Sequence, residues 1–284
     1  MVSHAAMPTP LHLGESRFRV YCSGRDAEGR SQIGWFVLDL DRLALVDAVT
    51  PQPVLRLGEL GAFDDGGVLS SCLVGSGAAL SMYYVGLSTG KTVPFRSFTG
   101  LAASSDGGAS FTRRSRGPIL PPDDVDPYFT PLAFVLPEDG RFTMWYTSGI
   151  RWAPEAAGPK HYYHIKRADS DDGITWNKAG DVAIDLVGDE YAIARPWVVR
   201  DESGYRMWYC FRGDAYRIGY AESPDGKRWT RKDGELGLST SAEEWENEMV
   251  CYPSVFDHGG KRYMLYNGNG YGKGGVGLAV LDGT

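Results

Sequence analysis

One pattern returns about every 60 residues along the chain, and a fixed period of that size implies stacked or radial repetition of one small unit. Its fullest form is Tyr205-Arg-Met-Trp-Tyr209, then Arg217-Ile-Gly-Tyr-Ala-Glu-Ser223, then Asp225-Gly-Lys-Arg-Trp229. A second copy runs Phe142-Thr-Met-Trp-Tyr146, His164-Ile-Lys-Arg-Ala-Asp-Ser170 and Asp172-Gly-Ile-Thr-Trp176. A third runs Leu80-Ser-Met-Tyr-Tyr84, Thr99-Gly-Leu-Ala-Ala-Ser104 and Asp106-Gly-Gly-Ala-Ser-Phe111. Each unit is a set of short β-rich runs joined by turn residues.

An anchor residue precedes an apolar run in every unit: Pro8 or Pro10, Ser71, Pro131, Pro196 and Pro253. The aromatic second strand then appears five times, at Phe18–Tyr21, Leu80–Tyr84, Phe142–Tyr146, Tyr205–Tyr209 and Tyr263–Tyr266. A third strand also appears five times. Five four-stranded units are too many and too regular for a sandwich, so the expected class is all-β, a five-bladed β-propeller. No linker-like break interrupts the copies. We therefore expect one domain over residues 1–284, with blades at roughly 1–50, 60–115, 122–178, 186–232 and 244–284. The last unit has no Asp-Gly-x-x-Trp strand, which predicts either a short fifth blade or an unusual closure.

Bulk properties narrow the function classes. At 43% hydrophobic residues the chain can bury a core, and a net charge of −7 argues against a nucleic-acid partner. Cys22, Cys72, Cys210 and Cys251 fall in strand positions, which points to buried free thiols rather than a disulfide framework. The start of the chain has no apolar signal-like run, and no apolar run approaches membrane-spanning length. The expectation is a cytoplasmic, soluble protein that neither enters a membrane nor takes a cofactor. No zinc-type spacing or phosphate-binding glycine loop is present, so no metal site is expected.

Propeller geometry divides the remaining residues between two faces. The Ser-x-Asp-Gly turns lie between third and fourth strands; Ser104–Phe111 matches the Asp-box pattern of sialidases and other propellers, and Ser170–Trp176 and Ser223–Trp229 are one residue shorter. Asp and Gly are there for turn chemistry, so Asp106, Asp172 and Asp225 read as structural. The opposite face carries an acidic series ahead of the inner strands, Asp65, Asp126, Glu190 and Glu248, with His4 in the comparable place of the first unit. Carboxylates gathered around one funnel would shift each other's pKa and supply the acid and base of glycosidic cleavage; capping of loop turns is the structural alternative. Loops between second and third strands add Arg25, Asp26, Arg151, Trp152, His161, Arg212, Asp214, Asn267, Asn269 and Tyr271, a mixture suited to the apolar faces and polar rim of a sugar. Arg195, in an inner strand, is expected to pair with a neighbouring acid or to bind ligand directly.

The Gly219-Tyr-Ala-Glu-Ser-Pro-Asp-Gly-Lys-Arg-Trp229 type of segment and the Met-Trp-Tyr strands resemble the five-bladed propeller superfamily of arabinanases, xylosidases, invertases and levansucrases along essentially the whole chain. The resemblance implies carboxylate catalysis on a glycoside. By position, Asp65 and Asp126 would take the two Asp roles and Glu190 that of the acid, with Glu248 as a further candidate. His4, Arg25, Asp26, Arg151, Trp152, Arg195, Arg212, Asp214, Asn267 and Tyr271 would then surround a small sugar-like substrate. The chain departs from the pattern at His4, where those families carry Asp, and lacks their short Glu-Gly-Pro and Arg-Asp-Pro signatures. Two alternatives stay open: a non-catalytic sugar- or protein-binding propeller, and a phosphorylase, transferase or other enzyme acting on a sugar-like metabolite.

Overall fold

The computed structural model describes residues 1–47, 50 and 52–281; residues 48 and 49 of the first predicted unit and 282–284 of the fifth lie outside the described residues. Within them the chain forms short antiparallel meanders. The first sheet is β1 (Ser3–Gly14), β2 (Arg17–Arg25), β3 (Ser31–Asp39) and β4 (Ala44–Asp47), and the second is β5 (Gly67–Ser76), β6 (Ala79–Thr89), β7 (Phe95–Ser104) and β8 (Thr112–Arg113). The third meander holds β9 (Ala133–Glu138), β10 (Arg141–Ala153), β11 (Lys160–Ser170) and β12 (Val182–Ile184). The fourth holds β13 (Ala192–Asp201), β14 (Gly204–Arg212), β15 (Tyr216–Ser223) and β16 (Thr230–Arg231). The last, β17 (Cys251–His258), β18 (Lys261–Asn267) and β19 (Gly277–Leu281), has three strands among the described residues. The fifth unit is thus short there, one of the two outcomes its sequence allowed.

The first strands close a ring. β1 packs on β5, β5 on β9, β9 on β13, β13 on β17, and β17 back on β1. Five meanders whose innermost strands form a closed cycle are a five-bladed β-propeller. No helix among the described residues is long and apolar enough to cross a membrane.

Blades stacked face to face bury their second strands on both sides, which explains why those strands read as continuous apolar runs instead of alternating. Met82–Tyr84, Met144–Tyr146 and Met207–Tyr209 are all buried. In the first three blades one aromatic of the second strand ties its blade to the next. Tyr21, Tyr83 and Trp145 each reach forward to the next blade and donate a hydrogen bond to the carbonyl of Gly108, Gly173 and Gly226 respectively. Those glycines sit in the Ser-x-Asp-Gly turns, with φ of 80°, 70° and 69°. In the same turns Phe111, Trp176 and Trp229 pack edge-on against Tyr21, Tyr83 and Trp145. The Asp carboxylates accept backbone N–H bonds inside their own turns, as from Ser110 to Asp106 and Thr175 to Asp172. These turns are clasps between blades. All four cysteines are buried and free.

Candidate functional site

One cavity touches the inner strand, or the residues leading into it, of all five blades: Met7, Leu69, Leu132, Ala194 and Tyr252. Only a space on the propeller axis can do so. It measures about 180 Å³, and its wall is completed by Val85, Leu87, Phe95, Phe129, His161, Tyr163 and Tyr216 among others. These residues lie at the starts of inner strands and around the hairpins between second and third strands, so the cavity opens on the face away from the Asp-Gly turns. Larger grooves, such as one of 420 Å³ beside Asp64 and Arg113, lie away from the axis.

Backbone shape makes the cavity. β1, β5, β13 and β17 each slip register against their partners at the same level, between Ala6 and Thr9, Ser70 and Cys72, Ala194 and Trp197, and Cys251 and Ser254. Met7, Leu132, Arg195 and Tyr252 hold left-handed φ of 56–58° there, a conformation that costs a non-glycine residue about 1–2 kcal/mol and needs support from its surroundings.

Arg195 seals the axis and is 1% exposed. Its Nη2 donates to the Pro8 carbonyl, Thr9 Oγ1 and Ser254 Oγ at 3.1–3.2 Å, and its Nη1 donates to the Ser71 carbonyl. The acidic partner expected for it is absent among the described residues: converging strand carbonyls and hydroxyls meet the charge instead. Burial pulls its pKa down to about 10, so it is still protonated at pH 7.

Among the described residues no Asp or Glu lines the axial cavity, and the four expected carboxylates lie elsewhere. Asp126 is fully buried and accepts from Tyr146 Oη (2.9 Å), Ser148 Oγ (2.6 Å) and Lys166 Nζ (3.1 Å), with Lys178 Nζ 3.1 Å away. Burial would raise its carboxyl, but the Ser148 bond, the Lys166 cation and the Tyr146 hydroxyl outweigh that and hold it below the usual range. Glu190 is clamped by both terminal nitrogens of Arg231. Asp65 accepts the Gly61 N–H in its own turn, and Glu248 is exposed.

Of the acidic series only Asp126 belongs to a second set of locks, whose other carboxylates come from outside the series. Tyr84, Tyr146, Tyr209 and Tyr266, equivalent in the second strands, donate to Asp64, Asp126, Asp233 and Glu246 at 2.6–2.9 Å. Three of these rings lie across a glycine of the third strand, Gly100, Gly219 and Gly277, where a Cβ would come within 2.4–2.7 Å of the tyrosine. Blade one has Cys22 at this position, opposite Gly34, and its leading segment offers His4 in place of an acid.

The loop candidates separate into three groups. Trp152 packs on Phe95, Phe129 and His161 at the cavity wall. Arg212 Nη1 donates to Tyr271 Oη (3.1 Å), and both contact Tyr216. Arg151 lies 4.0 Å over Tyr162, outside the cavity, and Asp214 is exposed. Asp26 organises its own turn by accepting from the Glu28 and Arg30 N–H groups. His4 sits in a separate groove with Trp35 and Lys273, near Arg25, and its pKa is lowered by burial and by those two cations. Asn267 is fully buried and accepts the Met7 N–H while donating to the Ala5 and Gly275 carbonyls, so it fastens blade five to blade one. It is a seam residue; a sugar cannot reach it.

The tyrosine cluster escaped the sequence reading. Tyr163 and Tyr216 occupy the same place in β11 and β15, three residues before Lys166 and Gly219, and their hydroxyls bond each other. Ser97 has that place in blade two and also lines the cavity. His161 stacks on Tyr163, with ring centroids 5.3 Å apart and an 8° tilt. Burial and the nearby Arg212 lower its pKa, leaving the imidazole neutral at pH 7.

The same fold occurs in solved structures of glycoside hydrolases. The chain superposes on a thermostable family-43 glycoside hydrolase with a TM-score of 0.75 at 17% identity, covering 100% of this chain and 91% of that one. A second glycoside hydrolase gives 0.76 at 17% identity, covering 99% of this chain and 88% of that one. At such identities the likeness is one of fold. In sequence the chain is 41% identical over 281 residues to the uncharacterized protein Rv1502 of Mycobacterium tuberculosis strain H37Rv, covering 99% of this chain and 93% of that one. MT1551 of strain CDC 1551 matches equally. The chain belongs to the family of these mycobacterial proteins. No family model matches it.

Proposed function

We propose that residues 1–284 act as one propeller domain that binds a small sugar or sugar-like ligand in the axial cavity, without two-carboxylate hydrolysis there. The observation behind this reading is the composition of the wall: Phe95, Phe129, His161, Tyr163, Tyr216 and Tyr252, with no Asp or Glu among the described residues. Aromatic rings meet the apolar face of a sugar, and a few hydroxyls orient its rim. Glycosidic cleavage by acid and base needs two carboxyl groups flanking the scissile bond. Asp126 and Glu190 are occupied by lysines and an arginine. At about 180 Å³ the cavity is below the roughly 300–1,000 Å³ of pockets for drug-sized ligands, which suits a single ring.

The test pairs binding with turnover. Monosaccharides should bind, as read by saturation-transfer NMR, and filling the cavity with Leu132→Trp should abolish it. Folded Asp126→Asn and Glu190→Gln variants should bind as the parent does. Glycoside cleavage that these two substitutions eliminate would restore the hydrolase reading.

A second reading draws on His161 and the Tyr163–Tyr216 pair. A neutral imidazole beside two coupled hydroxyls can relay a proton, so the site has groups for non-hydrolytic chemistry on the same ligand.

A further inference from the structure

Arg19, Arg25, Arg212 and Arg217 are partly buried without a carboxylate partner among the described residues, and of these Arg212 has its guanidinium against the ring of Tyr216, a wall residue of the axial cavity. Arg113, Arg167, Arg206, Arg231 and Arg262 each pair with a carboxylate. Arg212 makes no ion pair within 4.0 Å among the described residues, not even with Asp214 two positions along. Its one side-chain hydrogen bond goes from Nη1 to the Tyr271 hydroxyl, and its Nε is buried with no acceptor. Nη2 makes no hydrogen bond among the described residues and is not closed off as Nε is, so it is the group of the guanidinium left to donate to an oxyanion. Tyrosines frame it: the guanidinium carbon is 5.4 Å from the Tyr191 ring and 5.3 Å from that of Tyr216, a wall residue of the axial cavity. Lys160 Nζ lies 4.1 Å from the centre of the same Tyr191 ring. Lys160 pairs with Glu155 at 3.7 Å, so Arg212 is the cation beside Tyr191 that no carboxylate partners among the described residues.

We propose that Arg212 is an oxyanion-recognition residue: it holds the carboxylate or phosphate substituent of an acidic sugar whose ring enters the axial cavity. This rests on the sugar-binding reading of that cavity. The tyrosines exclude water from the guanidinium and fix its plane, which strengthens a charge-assisted bond relative to one made in solvent.

Calorimetric titration of the full chain with glucose, galactose and mannose, their uronic acids and their 6-phosphates tests this. One charged series should bind at least about 10-fold more tightly than its neutral parents, the effect of one hydrogen bond to a charged group. Whether uronates or phosphates lead identifies the anion. Arg212→Gln should erase the preference for the charged series; Arg212→Lys should keep part of it. Arg141→Gln, an exposed change at an unrelated ion pair, should alter nothing. Equal affinity for neutral and charged sugars, or a preference that survives Arg212→Gln in folded protein, overturns the proposal and leaves the cavity reading intact. Absence of binding by every sugar overturns both.

Discussion

Asp126 carries one of the strongest acidic signals in the chain, and its surroundings give that signal a structural meaning. Removing its charge strands Lys166 and Lys178 beside a neutral amide, and losing one partner of a buried ion pair costs about 3–5 kcal/mol. Asp126→Asn should therefore lower the urea midpoint by an amount corresponding to about 3 kcal/mol while leaving the axial cavity unchanged. The pH dependence follows from the depressed carboxyl. A group whose folded pKa lies below its unfolded value of about 3.9 contributes fully above that value and loses the contribution as pH falls through the folded pKa. Parent and variant should converge in urea midpoint toward about pH 2 and diverge above pH 4. A constant gap across that range would remove the ion-pair account. The same reasoning explains why Asp65 and Glu248 drew attention ahead of their strands while Asp64 and Glu246 make the locks. In irregular loops one or two residues decide which carboxylate turns inward, and no local pattern records it.

The second strand is the element whose meaning the sequence conveyed best. Met-Trp-Tyr could only be a strand covered on both faces, and Asp-Gly-x-x-Trp could only be a tight turn with an aromatic to bury. What spacing did not convey is the division of labour between adjacent aromatics, one clasping the next blade and the other crossing its own blade to a carboxylate. Gly219 exposes that dependence: a Cβ there would meet the Tyr209 ring at 2.5 Å and an Asp233 carboxylate oxygen at 2.6 Å. Gly219→Ala should destabilise by about 1–3 kcal/mol, the usual effect of overpacking, with a matching drop in Tm. Gly234, which has open space at its Cβ, should accept Ala with little change. If the two variants melt alike, the tyrosine crossing does not constrain the third strand. Tyr163 and Tyr216 could have been noticed at this level, because aligned third strands carry Tyr, Tyr and Ser97 at one position. Their convergence on a common cavity could not.

The closed ring makes distant parts of the chain depend on each other. Asn267 joins β18 to the N-terminal strand across an interval of 260 residues to Met7. Asn267→Ala leaves a buried N–H and two carbonyls without their partner, a loss of about 2–3 kcal/mol. Hydrogen exchange should accelerate in β1 and β17–β19 together, since the seam belongs to both blades. Faster exchange confined to residues 261–281 would mean that the blades are held independently. Blade number, strand order and turn chemistry were legible in the chain because they follow from short-range patterns of apolar, aromatic and glycine residues. The role of each charged group was not. Whether a carboxylate faces the axis or the interior of a blade depends on left-handed residues such as Met7 and Tyr252, on register slips in the inner strands, and on partners 20 or more positions away, as with Asp126 and Tyr146. Side chains on a strand alternate faces with every residue, so one such slip moves a charge from cavity wall to buried lock. Closure of the five-bladed ring selects among these arrangements, and it left the axial cavity to tyrosines, a histidine and apolar side chains, with Arg195 sealing the axis.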